Sequence, residues 1–193
     1  MHSACTENLV LWLGISNKIT MIMMMLYSWF VCLEDRDMWK AKEEFQAEQL
    51  AELLYETCAK SYQYGSPWSA HQFIEDIQQK HSMYIVLLAD SQLIGFISVQ
   101  TILDEMEVTH CVVSKEHQGQ GYAKKLLEKL FQYAEEKAIS RIFLEVRQMH
   151  QKAQTLYQSM GFEPYYTRKQ YYHHPIEDAV LMKREFSKEE CYK

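Results

Sequence analysis

A mixed α/β domain is what this sequence predicts, with a central sheet of about six or seven strands flanked by about four helices. Three observations carry that expectation. Apolar residues recur at helical spacing in some segments and in short β-branched runs in others, and the two kinds interleave from residue 38 onward. The runs Val108–Val113 and Ile142–Val146 are joined by a long amphipathic stretch, the pattern of a right-handed crossover between parallel strands. At 193 residues, 48% hydrophobic, with only 3 Pro and 6 Gly, the chain suits one domain that buries a core without disulfide or metal staples; it is neither disordered nor collagen-like.

Residues 38–41 are a candidate first strand. Phe45–Tyr62 reads as a helix with Leu50, Leu53, Leu54 and Cys58 along one face. Gly65-Ser66-Pro67 stops it. Ser69, with Gln72 three residues on, is a capping box that opens a second helix. The run Tyr84–Ala89, the turn Asp90-Ser91 and the run Leu93–Thr101 make a hairpin. Val108–Val113 is a β-branched strand. From Gly121 to Lys137, Leu126, Leu127, Leu130, Phe131 and Ala134 fall on one side, and Lys124, Lys125, Glu128, Lys129 and Glu136 on the other. Ile142–Val146 is a buried strand. Ala153, Leu156, Tyr157 and Met160 share one face of a short helix that ends at Gly161, where a left-handed residue is expected. Pro164–Tyr172 and Ala179–Lys183 are the last two strands.

Residues 9–33 break this pattern. Their only charge is Lys18, and the stretch is long enough to cross a bilayer once. No basic segment precedes it and no small-residue cleavage site follows, so it is a poor signal peptide. Three readings stand side by side: a translation start chosen upstream of Met38, a membrane anchor, or a packed helix. The expected organisation is an apolar leader over 1–37, a folded domain over 38–186 and a polar tail over 187–193. A membrane is expected as a partner only if the leader is real.

The net charge of −6 argues against a chain-wide grip on nucleic acid. Cysteines at 5, 32, 58, 111 and 191 show no C-x-x-C or zinc spacing. They read as free thiols of a reducing, cytoplasmic compartment, with Cys58 and Cys111 as small buried hydrophobes. His110 and His173-His174 lack partners at metal-ligand spacing and read as solvated loop residues, so no metal is expected.

The strongest chemical signal is the turn Gln118-Gly119-Gln120-Gly121-Tyr122-Ala123 between a strand and the long helix. Glycines let the backbone turn sharply and approach a ligand, and free amides at the helix start attract a pyrophosphate. The turn is one glycine short of the dinucleotide fingerprint and lacks the Gly-Lys-Ser/Thr of a P-loop.

The pattern Gln-x-x-Gly-x-Ala in this setting resembles the acetyl-CoA motif of the GCN5-related N-acetyltransferases, the GNAT superfamily. Leu144-Glu145-Val146-Arg147, Ala153, Leu156-Tyr157 and Gly161-Phe162 are similar to the bacterial ribosomal-protein-alanine N-acetyltransferases within it. So are Pro67-Trp68-Ser69, Arg168, Tyr171-Tyr172, Asp178-Ala179 and Met182. The resemblance implies the GNAT fold, a mixed sheet splayed between its fourth and fifth strands, with acetyl-CoA in the opening. It implies that backbone groups of Cys111, Val112 and Val113 pair with the pantetheine arm. The turn Gln118, Gly119, Gln120, Gly121, Tyr122, Ala123 and Lys124 would hold the pyrophosphate. Glu145 would be the general base and Tyr157 the general acid, with the amide of Val112 or Val113 as oxyanion donor. His150 stands where the family places a cofactor-contacting Asn, and Gln118-Gly119 replaces commoner basic residues, which removes positive charge near the pyrophosphate.

The implied substrate is the N-terminal alanine of a ribosomal protein. A peptide α-amine, with a pKa of about 7.7 to 8.0, reaches the enzyme mostly protonated and must lose a proton. Glu145, within an apolar strand, is expected to be buried enough for that work. The acidic cluster Asp104, Glu105 and Glu107 is a candidate partner for a basic residue after the target amine, with a solvated turn as the competing reading, and Tyr171 is a candidate cover over the peptide backbone. A monomer is expected. Two alternatives remain: a GNAT enzyme acting on a lysine side chain or small amine, and a module that holds acyl-CoA without turnover.

Overall fold

The computed structural model describes residues 37–90 and 92–186; the stretch 9–33, the tail 187–193 and Ser91 lie outside them. Strand β1 (Asp37–Ala41) leads into helices α1 (Ala47–Ser61) and α2 (Ala70–Ile77). Strands β2 (Ser82–Ala89), β3 (Gln92–Ile102) and β4 (Glu105–Val113) follow. Next come α3 (Tyr122–Glu136), β5 (Arg141–Arg147), α4 (Gln151–Ser159), β6 (Glu163–His173) and β7 (Ile176–Glu185). One seven-stranded sheet results, in the order β1-β2-β3-β4-β5-β7-β6. β4 and β5 run parallel, whereas β2–β3, β3–β4, β5–β7 and β6–β7 are antiparallel. Among the described residues no helix is long and apolar enough to cross a membrane.

The helices cover the two faces of the sheet unequally. Leu50, Leu54 and Phe73 of α1 and α2 pack on Tyr84, Val86, Leu88, Phe96 and Val112, one face of β2–β4. Leu126, Leu127, Leu130 and Phe131 of α3 pack on the other face, against Ile85, Leu87, Ile97, Met106, Ile142, Leu144 and Val146. Strands sandwiched in this way read as continuous apolar runs rather than as alternation. The Ser69 cap forms as expected: its hydroxyl accepts the Gln72 amide at 3.3 Å, and its own amide donates to the Gln72 side chain at 2.9 Å. Beyond β4, among the described residues, no helix lies over the first face. There the alternation of β5 turns Phe143, Glu145 and Arg147 outward, opposite buried Ile142, Leu144 and Val146.

One irregularity decides the architecture. Ser98 pairs with His110, but Val99 pairs with Val108, so Thr109 is an extra residue in β4. A bulge of this kind bends its strand and exchanges the faces of the residues beyond it. Met106 therefore packs with α3, while His110 and Val112 turn toward α1 and α2, and Cys111 and Val113 return to the α3 side. Gly95 lies opposite Val113, and a Cβ there would sit 2.6 Å from the Val112 carbonyl oxygen, so β3 and β4 approach this closely only with glycine. β4 begins at Glu105, so Glu105 and Glu107 are strand residues rather than turn residues. His110 is not a solvated loop residue but is 2% exposed, enclosed by Trp68, Phe73 and Phe96, because the bulge turns it into the core.

Candidate active site

The ladder between β4 and β5 runs from Glu105↔Arg141 to Val108↔Leu144 and stops there, one residue before the bulge. Beyond that point, among the described residues, β4 pairs only with β3, and β5 only with β7. The alternation of an antiparallel ladder then fixes which peptide groups face the gap. The Ser114 amide donates to the Ile94 carbonyl at 2.8 Å, which directs the peptide groups of Val112 to Phe96 and turns those of Cys111 and Val113 away from β3. On the other side the Gln148 amide donates to the Asp178 carbonyl at 3.1 Å, which turns the peptide groups of Glu145 and Arg147 away from β7. Both edges of the opening thus present backbone donors and acceptors to whatever enters. Val112 is a correction to the sequence reading: its peptide groups belong to the β3 ladder, and the donors facing the gap come from Cys111 and Val113.

At the wide end lies the glycine turn. Gly119 and Gly121 have φ of 78° and 87°, and Gly121 is the residue from which α3 starts. Among the described residues, a Cβ on either would meet no atom within 4 Å. Among the described residues, no backbone acceptor takes the amides of Gly119 to Lys124, the free amides expected at a helix start. The Gln118 side chain faces inward, donating to the Val113 carbonyl at 3.1 Å, and so fastens the turn to the end of β4. Gln120 donates to the Glu116 carbonyl at 3.1 Å. Tyr122 and Ala123 are half-buried against the core, and exposed Lys124 pairs with Glu128 at 3.8 Å. The turn is therefore a backbone cradle with little side-chain charge, as its composition implied.

Glu145 lies on the β5 face opposite Ile142, Leu144 and Val146, beside the opening. Its environment is an ion pair rather than an apolar shell: Arg168 of β6 donates to its Oε1 at 2.7 Å, and 20% of the carboxylate side chain is exposed. Tyr171 also hydrogen-bonds Glu145, which raises the phenol above its ordinary pKa. A second irregularity aims these residues. Arg168 pairs with Ala179 and Tyr172 with Glu177, so Lys169, Gln170 and Tyr171 bulge opposite Asp178 alone. The Asp178 carboxylate holds that bulge, accepting from the Gln170 amide at 2.8 Å and the Lys169 ammonium at 2.7 Å.

Tyr157 reaches the opening from α4, where its ring packs edge-on against Phe162. Desolvation pushes its hydroxyl well above the ordinary tyrosine range, reinforced by neighbouring Cys111, Tyr62 and Tyr172. Desolvation likewise pushes the Cys111 thiol up to about 12, although a hydrogen bond from Tyr157 works the other way. Both groups are thus held protonated at neutral pH. His150 caps α4, its Nδ1 accepting the Ala153 amide at 3.1 Å. Glu105 is not brought to the opening. It pairs with Arg141 at 3.3 Å at the closed end of β4–β5, about 20 Å along the strand from Cys111.

The structure adds residues that sequence reasoning assigned no role. The Arg147 guanidinium lies 3.9 Å from the Tyr172 ring centre and 4.8 Å from that of Tyr64, and it donates to Glu177 at 2.9 Å. It thereby ties the segment after α1 to the β6–β7 hairpin. The Met149 amide also donates to Glu177, at 2.7 Å; burial works against this carboxylate, but these hydrogen bonds hold it below its ordinary range. Tyr62 joins the same cluster of hydroxyls. Partners 30 residues apart leave no local trace; the only available signal was the unusual run of aromatics at Tyr62, Tyr64, Tyr171 and Tyr172 in polar surroundings.

A split mixed sheet with a glycine cradle at the mouth of the split defines a class. The chain belongs to the GNAT acetyltransferase family, whose model matches residues 45–162. Within that family it is similar to the ribosomal protein bS18-alanine N-acetyltransferase of Haemophilus ducreyi, 36% identical over 141 residues, which cover 72% of this chain and 88% of that protein. The Haemophilus influenzae protein of the same name is 35% identical over 119 residues, 60% of this chain and 80% of that one. The crystal structure of the ribosomal-protein-S18-alanine N-acetyltransferase from Escherichia coli superposes with a TM-score of 0.70 at 25% identity, covering 78% of this chain and 94% of that chain.

Proposed function

We propose that the protein transfers acetyl from acetyl-CoA to the α-amine of an N-terminal alanine, and that its substrate is a ribosomal protein. The observation that carries this reading is the arrested β4–β5 ladder, with Glu145 at its edge and the amide cradle of Gly119–Lys124 at its mouth. The residues fit acetyl-CoA: inward peptide groups of Cys111 and Val113 suit an amide-containing arm, and the cradle suits a diphosphate. Acetyl-CoA supplies an acetyl group activated as a thioester.

The side chains supply the proton transfers. Glu145 takes the proton that the amine nitrogen sheds as its new bond to carbon forms. Tyr157, held protonated by desolvation, gives a proton to the sulfur whose bond to carbon breaks. The Val113 amide, turned into the gap, is placed to donate to the carbonyl oxygen as charge grows on it. Tyr171 and Tyr172 flank the approach to Glu145 from the hairpin side, with Arg147 stacked behind Tyr172. The similarity to alanine-specific relatives favours the N-terminal substrate over a lysine side chain.

The test uses two peptides with purified protein and acetyl-CoA, one starting with alanine and one N-blocked with an internal lysine. Acetylation of the first is expected. Turnover of the second alone overturns the N-terminal reading, and acetyl-CoA binding without turnover of either makes the chain a binding module.

A further inference from the structure

We propose that Arg168 is a specificity-determining residue that makes the cleft accept amines in their neutral form, and so favours α-amines over lysine side chains. The inference deepens the reading above and rests on it. In the protein alone, Glu145 already holds a cation: the Arg168 guanidinium, 2.7 Å away, lies over the Tyr171 ring at 4.6 Å. The Arg168 side chain is 45% exposed, but its guanidinium is held by the Glu145 carboxylate and the Tyr171 ring, and its backbone stands immediately before the bulge that Asp178 fastens. Two residues along β5 on the same face, Arg147 is likewise compensated by Glu177. The cleft floor therefore carries two carboxylates and two guanidiniums in matched pairs.

Other charged groups facing this patch also come in opposed signs: Glu107 from β4 and Lys183 from β7, both close enough to act on Tyr165. The phenols of Tyr157, Tyr165, Tyr171 and Tyr172 are all raised, so they stay neutral through the physiological range. An entering ammonium must displace Arg168, exchanging one cation for another, or lie beside a compensated pair with little Coulomb gain. A neutral amine does neither and brings a free lone pair. At pH 7 roughly a tenth of an α-amine population is neutral, against about one lysine in 2,500. Compensating Glu145 turns that difference in supply into selectivity, whereas a bare carboxylate would draw in either ammonium.

The experiment measures kcat/KM for the alanine-starting and N-blocked lysine peptides from about pH 6 to 9, in the parent, Arg168→Gln and Arg168→Lys. In the parent, kcat/KM for the alanine peptide should rise with pH and level off near the amine pKa, about 8. In Arg168→Gln that rise should flatten, and the alanine-to-lysine ratio should fall about tenfold, mostly through a lower KM for the lysine peptide. Arg168→Lys, which keeps the charge, should hold the parent's ratio and pH profile. If Arg168→Gln does not fold, Asp178→Asn, which loosens the bulge that aims Arg168, carries the same expectation. Equal losses on both peptides with an unchanged pH profile would mean a merely structural role and overturn the inference. A parent that acetylates the alanine peptide alongside indifferent variants overturns Arg168 alone; a parent that acetylates neither peptide overturns both readings.

Discussion

Between Glu105 and Val108, β4 lies against β5 with its ladder made and Met106, Ile142 and Leu144 at most 2% exposed. Over the next residues the same two strands part, and Cys111, Glu145 and Arg147 are only half-buried. Composition does not explain the contrast, since Val108–Val113 is as β-prone as anything in the sheet. The cause is one inserted residue, Thr109, and what lies behind it. The Ser98 hydroxyl sits 2.7 Å from the Thr109 hydroxyl and 3.2 Å from His110 Nδ1. Burial of apolar side chains is worth about 1.5–3 kcal/mol each, and an unmade buried hydrogen bond costs about 1–3 kcal/mol. The closed end and the core behind β4 thus offset peptide groups left unpaired at the open end, where a ligand can pair with them.

Breaking the open end at its chemistry should have the largest effect. Glu145→Gln keeps the shape and loses the base, so kcat should fall about 10²–10⁴-fold with acetyl-CoA affinity little changed. Tyr157→Phe should cost less, about tenfold to a hundredfold, because water can protonate a thiolate. Steady-state kinetics with calorimetric titration of acetyl-CoA checks both. Activity of Glu145→Gln within about threefold of the parent would remove Glu145 from its role.

The buried side of the open end should respond to acid. Burial pulls His110 down to about 4, against a weaker upward influence of Asp76, and among the described residues its Nε2 has no hydrogen-bond partner. Unfolded, the imidazole titrates near 6.5. As pH falls from about 6.5 to 4 the unfolded chain takes up a proton that the folded one refuses, so stability falls with pH by about 3 kcal/mol across that window. Urea midpoints at pH 7 and 4.5 in the parent and in His110→Phe isolate this contribution, because the surface carboxylates are common to both. Equal acid sensitivity of the two proteins would show that His110 does not refuse the proton.

The contrast between the two ends also marks what the sequence could reveal. Helix faces, the Ser69 cap, the hairpin and the glycine turn are local patterns, and each was legible. The splay was legible only through resemblance, because a bulge depends on the register between β3 and β4, and register is a property of two strands. The same limit hid the assignment of Val112 to its ladder and the burial of His110. Glu145 and Tyr157 could be singled out from their motif, but Arg168 as the partner of Glu145 lies 23 positions away across two strands. No periodicity connects them.

A smaller effect tests whether the bulge is fastened from behind. Ser98→Ala and Thr109→Val each remove one member of the hydroxyl pair, at about 1 kcal/mol of stability. If this pair holds the gap at its working width, KM for acetyl-CoA should rise about threefold while kcat stays near the parent value. A stability loss without change in that KM would leave the bulge to backbone geometry alone.

The smallest effect belongs to the closed end. Glu105 and Arg141 pair at 3.3 Å with 42% and 47% of their side chains exposed, so solvent screens them and a double-mutant cycle should return about 0.2–1 kcal/mol, less in high salt. Glu105→Gln should leave kcat and KM for the alanine peptide within about twofold of the parent. The outcome matters beyond its size, because Glu105 was the acidic residue that the sequence offered as a substrate contact. A KM that rises for a peptide with arginine in second place, but not for one with alanine there, would mean that the bound peptide runs along β4 and β5 to their zipped end. An indifferent KM confines recognition to the half of the sheet that Thr109 opens.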